Sequence, residues 1–228
     1  MENEADIAFL RAFGAAQLTD VQHGMEPRVR NLFREAGKNR EKLAAFLPIL
    51  AVVSREYPPA WRHMVSLYQS SSEPNKLEKA KRAIEKYLQL SARTGDHEGR
   101  REAWKTLATL RKETDDYIGE VRALLEASRL PDCPIEDVSY AARKLLYSLK
   151  TERATWDKDE RLLAIEEVAS RMETRLPELY PNDFGRLAWL FLSKNDRDSA
   201  VKFTRQGLYR DRHNDYLGDL AARLGVWI

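Results

Sequence analysis

Residues 102–131 constrain the fold more than any other part of the chain, because they predict two antiparallel helices joined by a tight acidic turn. An apolar stripe recurs at spacings of three and four residues in the first helix and again in the second. Such a pair buries only part of its apolar surface by itself, so it needs similar neighbours on both sides. The sequence therefore predicts a stack of helix pairs. The stripes consist of Trp104, Leu107, Ala108 and Leu110, followed by Val121, Leu124, Leu125 and Ala127.

The composition indicates a helical chain that is not dominated by one sign of charge. Charged residues make up 32% of the 228 residues, and Pro and Gly number only 9 and 10. The 38 basic and 36 acidic residues leave a formal net charge of +2, which argues against a dedicated nucleic-acid or anionic-membrane binder. The mean hydropathy of −0.59 indicates a water-soluble protein.

Three sequence features predict a cytoplasmic protein. Three of the first six residues are acidic and none is basic, whereas a secretory signal would begin with basic residues. The longest apolar run, residues 43–53, contains Pro48 and is shorter than the roughly 20 residues needed to span a bilayer. Cys133 is the single cysteine, so an intrachain disulfide is excluded and a reducing compartment is expected.

Helices are also predicted before and after the central pair, and no segment shows the sustained period-two alternation of a strand. Residues 1–57 are expected to form an irregular helical cap, and residues 58–228 a set of helix pairs with a closing helix. In the cap, residues 19–24 are interpreted as a break, and Pro27 is placed in the first turn of the helix that follows. The predicted helices, about 11–12 in all with the central pair, are 2–17, 26–36, 40–57, 60–69, 75–92, 135–150, 159–175, 182–193, 196–209 and 213–224.

Turn residues and apolar faces refine these predictions. Asp96 and Asp196 are expected to cap helix N-termini, and Asn195 suits a left-handed position. The inward faces are Ala80, Ala83, Ile84, Tyr87 and Leu88 in helix 75–92, Val138, Ala141, Ala142, Leu145 and Leu146 in helix 135–150, and Leu162, Leu163, Ile165, Val168, Ala169 and Met172 in helix 159–175.

The helix pairs repeat with a period near the roughly 34 residues of one known family. Trp61 and Trp104 open their pairs in the same way, and a last pair carries Phe184, Leu187, Ala188, Phe191, Ala200, Gly207 and Asp211. On these residues the chain resembles the tetratricopeptide repeat (TPR) family. It departs from the family pattern at Arg111, where an aromatic residue is usual, at Glu120, where alanine is usual, and at Arg212, where proline is usual.

This resemblance implies an all-α fold, a right-handed solenoid of antiparallel helix pairs with an inner groove. It also implies a set of partner-binding residues on the groove side of the first helix of each pair. Trp189 lies off the apolar stripe of its helix on that side, and the alternative is that it packs under a loop or against Trp227. The predicted partner-binding residues are Arg62, Ser66, Lys105, Thr109 and Trp189, an aromatic residue with cations and hydroxyls that would hold an extended or helical peptide.

No residue pattern indicates catalysis, a cofactor or a metal site. The histidines His23, His63, His97 and His213 are scattered, and none has a metal-ligand partner three or four residues further along the same predicted helix. Cys133 has neither a nearby histidine nor a CxxC partner, so it is interpreted as a small apolar residue between two prolines.

The predicted function is a non-catalytic scaffold or adaptor that binds another protein or a peptide on the concave face of the repeats. One alternative is a regulatory or sensor module of a larger complex or a homo-oligomer, with Trp227 as a docking residue. The other is an RNA-binding repeat that uses the basic residues between positions 76 and 105. Glutamates interleave with those cations, a pattern typical of a solvated helix face.

Overall fold

The computed structural model describes residues 2–15, 19–39, 41–42, 45–46, 59–93, 95–151 and 154–226. Within those ranges the chain forms eleven α-helices and two 3₁₀ turns and contains no strand, which confirms the predicted all-α fold. The helices are α1 (Glu2–Ala15), α2 (Thr19–Lys38), α3 (Pro59–Ser70), α4 (Lys76–Leu90), α5 (His97–Glu113), α6 (Tyr117–Arg129), α7 (Ile135–Lys150), α8 (Lys158–Glu173), α9 (Pro181–Ser193), α10 (Arg197–Arg210) and α11 (Asp215–Leu224).

The chain divides into two compact units, Met1–Leu110 and Arg111–Ile228, here called the N-terminal unit and the C-terminal unit. The division falls inside α5. The predicted boundary between an irregular cap and the repeats, at residues 57 and 58, lies outside the described residues. That boundary therefore stays a prediction.

In the N-terminal unit, α3 packs against α4 and α2 packs against α3. The five residues predicted to face inward from α4 are all buried. Asp96 caps α5 as predicted, since its Oδ1 accepts a hydrogen bond from the backbone N–H of Gly99 at 2.8 Å. Its Oδ2 accepts the hydroxyl hydrogen of Tyr87 at 3.0 Å, which joins the α5 cap to the buried face of α4.

The predicted break at residues 19–24 is wrong, because α2 runs without interruption through them and carries Pro27 in its interior. A single proline removes one N–H donor and costs a helix roughly 3 kcal/mol, an amount that packing of the remaining turns can offset. The predicted helix at 40–57 lies mostly outside the described residues, although 41–42 and 45–46 are helical.

Trp61 and Trp104 were predicted to open two helix pairs in the same way, and the structure describes the side chain of Trp104 only. Trp104 is half-buried on α5 rather than fully enclosed, whereas Leu107, Ala108 and Leu110 beside it are buried. The side chain of Trp61 lies outside the described residues.

The C-terminal unit is arranged around α9, which packs against α7, α8, α10 and α11. Two tight turns in this unit share one geometry. Asn195 and Asp115 have positive φ angles of 64° and 56°, and an aspartate follows each. Asp196 accepts a hydrogen bond from Ser199 N at 3.0 Å, and Asp116 accepts one from Gly119 N at 2.8 Å. The predicted left-handed position and N-cap at the α9–α10 turn are thereby confirmed.

Of the six residues predicted to face inward from α8, four are buried, Leu162 is half-buried and Leu163 is exposed. Ile165, Val168, Ala169 and Met172 are buried, but the side chain of Leu163 is 66% exposed. Residues two positions apart lie roughly 200° around a helix from each other, so Leu163 and Ile165 point in nearly opposite directions.

The departure from the family pattern at Glu120 has a structural cause. Glu120 is buried on α6 and forms an ion pair with Lys144 of α7, with an Nζ–Oε1 distance of 2.8 Å. Burial by itself would lower the pKa of Lys144, but the hydrogen bond and the charge of Glu120 raise it above its ordinary value. The ion pair thus links α6 to α7, a contact that the alanine usual at this position could not make.

Arginines near the C-terminal ends of α8 and α10 donate hydrogen bonds to backbone carbonyls at or just after the end of the preceding helix pair. Arg171 donates to Ser128 O at 2.8 Å, and Arg175 donates to Cys133 O at 2.7 Å. Arg210 of α10 makes the corresponding bond to Leu179 O at 2.6 Å. Ser128 lies in the last turn of α6, where carbonyls lack intrahelical partners, and Cys133 and Leu179 lie in loops between helices. The guanidinium groups satisfy these carbonyls and link successive pairs.

Candidate functional site

Side chains from α7, α9 and α11 line a cavity of about 390 Å³ in the C-terminal unit. A second cavity, of about 220 Å³, adjoins it between α7 and α9 and shares Arg143 and Arg186 with it. We call the two together the α7–α9–α11 groove. Its principal side chains are Arg143, Tyr147, Lys150, Arg186, Trp189 and Tyr216.

The groove exists because two helices each present a polar and aromatic stripe opposite their buried face. On α7 the stripe is Tyr140, Arg143, Tyr147 and Lys150, at spacings of three, four and three residues. The buried residues Val138, Ala141, Ala142, Leu145 and Leu146, all as predicted, hold the other side of that helix in the core.

Trp189 lies in the wall of this groove and is half-buried. Two cations from other helices approach its ring: Lys150 Nζ of α7 lies 4.7 Å from the ring centroid, and Arg223 Cζ of α11 lies 5.0 Å from it. Both distances are within the range of a cation–π interaction. Trp189 therefore faces the groove and carries two positive charges beside it, whereas the alternative contact with Trp227 lies outside the described residues.

The charges of this groove are only partly balanced. Arg186 is neutralised by Asp183, which also accepts the hydroxyl hydrogen of Ser139 on α7. Arg143 lies 4.8 Å from the centroid of Tyr140. For Arg143, Lys150 and Arg223, no acidic side chain within ion-pair distance occurs in the part of the chain that the structure describes. The groove thus combines aromatic rings with Arg143 and Lys150, which form no ion pair with a described residue, and with the exposed carboxylate of Glu136 at its α7 end. Arg223 lines neither cavity but adds a third such cation beside the Trp189 ring.

Exposed aromatic rings extend this surface along the same helices. The side chains of Tyr147 and Tyr180 are 58% and 62% exposed, and both line the groove. Burial raises the pKa of Tyr216, and the charge of Arg186 partly opposes that rise, so the phenol of Tyr216 stays neutral and available as a hydrogen-bond donor. Tyrosine, tryptophan and arginine are the residues that protein interfaces use most as anchors.

The other four predicted partner-binding residues lie in the N-terminal unit. Arg62 and Ser66 are exposed on α3, and Arg62 Cζ lies 5.7 Å from the ring centroid of Tyr87. Lys105 of α5 forms an ion pair with Glu102 of the same helix at 3.2 Å, and the Thr109 hydroxyl donates to Lys105 O. Their role as partner-binding residues stays a prediction.

Several groove residues were missed by sequence reasoning, although a signal for them exists. Arg143, Tyr147 and Lys150 lie on the face of α7 opposite its apolar residues, and the sequence prediction for this helix used only the apolar residues. The polar and aromatic residues on the opposite face recur at helical spacing, and so do Asn182, Arg186 and Trp189 on α9. A search of each first helix for a second, cationic and aromatic stripe would have found them.

The basic helices at positions 76–105 show the pairing that the sequence suggested. Lys79 pairs with Glu73, Lys81 with Glu78, and Lys105 with Glu102.

Two further kinds of feature are absent from the described residues. In those parts of the chain no group of three or more His, Cys, Asp or Glu side chains is placed to hold a metal ion. No helix described by the structure is both long enough and apolar enough to cross a membrane.

The helix pairs define an α-helical repeat protein. No family model matches the chain, and no curated protein matches it. Among solved structures, the chain is similar to YrrB, described as a TPR protein with an unusual peptide-binding site, at 14% identity over 80% of this chain and 84% of that chain, with a TM-score of 0.43.

Two other solved structures show similarity of the same order. MamA is 13% identical over 87% of this chain and 96% of that chain, with a TM-score of 0.41. BtubC (BKLC) from P. vanneervenii is 14% identical over 100% of this chain and 94% of that chain, with a TM-score of 0.37. At TM-scores below 0.5, these similarities assign no residue role to this chain.

Proposed function

We propose that this protein is a non-catalytic protein-recognition module that holds an acidic segment of a partner protein in the α7–α9–α11 groove. The observation that supports this most directly is the environment of Trp189, whose ring has two cations from different helices within about 5 Å of its centroid. An acidic segment would supply the counter-charges that Arg143, Lys150 and Arg223 lack among the described residues.

The charge and the rigidity of the groove both favour binding of an acidic segment. Cations held close together repel one another, and an anionic ligand relieves that repulsion while forming charge-assisted hydrogen bonds. The groove side chains stand on packed helices, so little ordering is needed when a partner binds. Aromatic side chains beside the cations would bury the apolar part of the same segment.

An acidic protein segment fits this groove better than RNA does. The chain as a whole carries 38 basic and 36 acidic residues, so it lacks the broad positive field that steers nucleic acids. The cations between positions 76 and 105 that could add to such a field include three that are paired with glutamates.

The test is fluorescence anisotropy with a labelled peptide of alternating glutamate and leucine, with a lysine–leucine peptide of equal length as its control. We expect the acidic peptide to bind and its affinity to fall as salt is raised. The double variant Lys150→Glu and Arg223→Glu should weaken binding about tenfold or more.

A matched variant separates the groove from general charge. Lys158→Glu with Lys202→Glu also reverses two cations, but on exposed positions of α8 and α10 that do not line the groove. The proposal is wrong if this control weakens binding as much as the groove variant does, or if the lysine peptide binds equally well. Displacement of the acidic peptide by single-stranded RNA at lower concentration would favour the RNA-binding alternative.

A further inference from the structure

A larger cavity, of about 690 Å³, lies elsewhere in the C-terminal unit, between the 3₁₀ turn Leu176–Glu178 and the end of α10. None of its lining residues belongs to the α7–α9–α11 groove. Pockets that bind small ligands have volumes of about 300–1,000 Å³, so this cavity has a suitable size. Its lining comes from two short stretches of chain, 176–184 and 205–212, which makes it a compact site rather than an extended one.

One side of this cavity is apolar and firmly held. Leu176, Pro177 and the ring of Phe184 form it. Arg210 stabilises this wall, because its guanidinium donates hydrogen bonds to Leu176 O at 3.0 Å and to Leu179 O at 2.6 Å. The same guanidinium lies 4.8 Å from the centroid of Phe184. The guanidinium of Arg210 is thus engaged by groups of the protein itself, so the shape of the wall does not depend on a ligand.

Two other arginines, Arg205 and Arg212, line the cavity and are exposed to solvent. The structure shows no acidic side chain paired with either of them in the ranges it describes. The acidic residues on the neighbouring turns are already engaged: Glu178 accepts from Arg175 at 2.8 Å, and Asp211 accepts from the backbone N–H of His213 at 3.1 Å. The cavity lining therefore carries two arginines that form no ion pair with any described residue.

The ring of Tyr209 completes the arrangement. It lines the same cavity and is 83% exposed, the highest exposure among the large hydrophobic side chains that the structure describes as exposed. An exposed aromatic ring beside an apolar wall gains by covering an apolar ligand, since burial of apolar surface is the main source of affinity at such sites.

We propose that this cavity binds a small amphipathic carboxylate. The apolar body of the ligand would lie against Leu176, Pro177 and the Tyr209 ring, and its carboxylate would pair with the guanidinium groups of Arg205 and Arg212. Arginine suits this role because its planar fork matches the two oxygens of a carboxylate. The compact apolar wall and the two arginines together favour this ligand over an extended peptide.

The probe is dodecanoate, titrated into the full chain by isothermal calorimetry below the concentration at which it forms micelles. We expect dodecanoate to bind, hexanoate to bind at least tenfold more weakly because it buries less apolar surface, and dodecyltrimethylammonium not to bind. Equal binding of the ammonium compound would overturn the proposal, because it would show an unspecific apolar surface. Equal binding of hexanoate would overturn it as well, because the apolar wall would then contribute nothing.

Variants of the lining residues test whether dodecanoate binds in this cavity. Arg205→Glu with Arg212→Glu should weaken dodecanoate binding about tenfold or more, and Tyr209→Ala should weaken it several-fold. All three side chains are exposed, so the fold should be preserved, which the helical CD signal can verify. The groove variant Lys150→Glu with Arg223→Glu makes the same change in net charge and should leave dodecanoate binding unchanged. If the groove variant abolishes binding and the cavity variant does not, the ligand occupies the groove and the proposal is wrong.

Discussion

Lys144 of α7 and the buried carboxylate of Glu120 on α6 form an ion pair with an Nζ–Oε1 distance of 2.8 Å. Their side chains are 16% and 5% exposed, so neither charge is well solvated. Removing one partner of a buried pair leaves the other charge uncompensated, which is more costly than the loss of an exposed pair.

We therefore expect Glu120→Ala to lower the free energy of unfolding by about 3 kcal/mol. Lys144→Met in the same chain should restore part of that loss, since it removes the unpaired charge and keeps most of the side-chain volume. Urea denaturation followed by circular dichroism measures both. If the double variant is as unstable as the sum of the single ones, the pair does not act as a unit.

The glycine at position 207 allows α10 to approach two neighbours closely. A Cβ atom built there would lie 2.8 Å from Leu217 Cδ1 and 2.9 Å from Phe184 Cβ. We expect Gly207→Ala to lower the free energy of unfolding by about 1–3 kcal/mol, because core side chains must shift to admit the methyl group.

Gly218→Ala is the matched control for this prediction. Gly218 lies inside α11, and a Cβ atom built there meets nothing within 4 Å. This substitution should raise the free energy of unfolding by about 0.5–1 kcal/mol, since alanine is the better helix former. Thermal denaturation should move in opposite directions for the two variants, and a shift of the same sign in both would contradict the packing shown at Gly207.

The ion pair between Arg129 of α6 and Glu167 of α8 predicts a pH dependence. Arg129 hydrogen-bonds the ionised carboxylate, and this outweighs the effect of burial, so the pKa of Glu167 lies below its ordinary value of 4.5. A carboxyl group whose pKa is lower in the folded state stabilises the protein above its unfolded-state pKa. That contribution is lost as the pH falls through the folded-state pKa.

We expect Glu167→Gln to lower the free energy of unfolding by about 1 kcal/mol at neutral pH, since the pair is partly exposed. The difference from the original protein should shrink toward zero as the pH falls below about 4.5. Urea titrations across that range measure the effect. Glu173→Gln, at an exposed position at the end of the same helix, is the control and should change the free energy of unfolding at neutral pH by less than about 0.5 kcal/mol.

Asp183 joins α7 and α9 beneath the groove. It is 3% exposed, accepts hydrogen bonds from Ser139 and Arg186, and accepts one from the backbone N–H of Tyr180 at 3.0 Å. We expect Asp183→Ala to lower the free energy of unfolding by about 2–4 kcal/mol, because these buried donors lose their acceptor.

The control for Asp183 is Asp198→Ala, an exposed acidic residue in the first turn of α10. Its effect should stay within about 1 kcal/mol, the size of a helix-dipole contribution. Chemical denaturation of both variants would decide the matter, and an equal loss in the two would show that the contacts of Asp183 contribute nothing beyond helix-terminus electrostatics.

Much of the helical framework was predictable because the signals that encode it are local. Helix α7 was placed at residues 135–150, which are its observed bounds, from apolar periodicity and the preceding Pro134. The turn at Asn195 and Asp196 was predicted from the conformational preferences of those two residues alone. The prediction failed at residues 19–24, where Gly24 and Pro27 are breakers by propensity, yet α2 continues through them.

The candidate site was predictable only in part. Trp189 was singled out because it lies off the apolar stripe of its own helix, which is visible in the sequence. The cations beside its ring come from α7 and α11, and their meeting at one ring depends on how three helices stack.

The sequence by itself determined which residues form helices, which faces of those helices are apolar and where the turns fall. Each of these depends on interactions between residues close together in the chain. Only the tertiary structure decided that Glu120 meets Lys144, that Arg205 and Arg212 line one cavity, and which cations share a groove with Trp189. These arrangements bring together side chains from different helices, or from the end of a helix and a distant turn. The packing of whole helices, which no local pattern encodes, sets the distances between them.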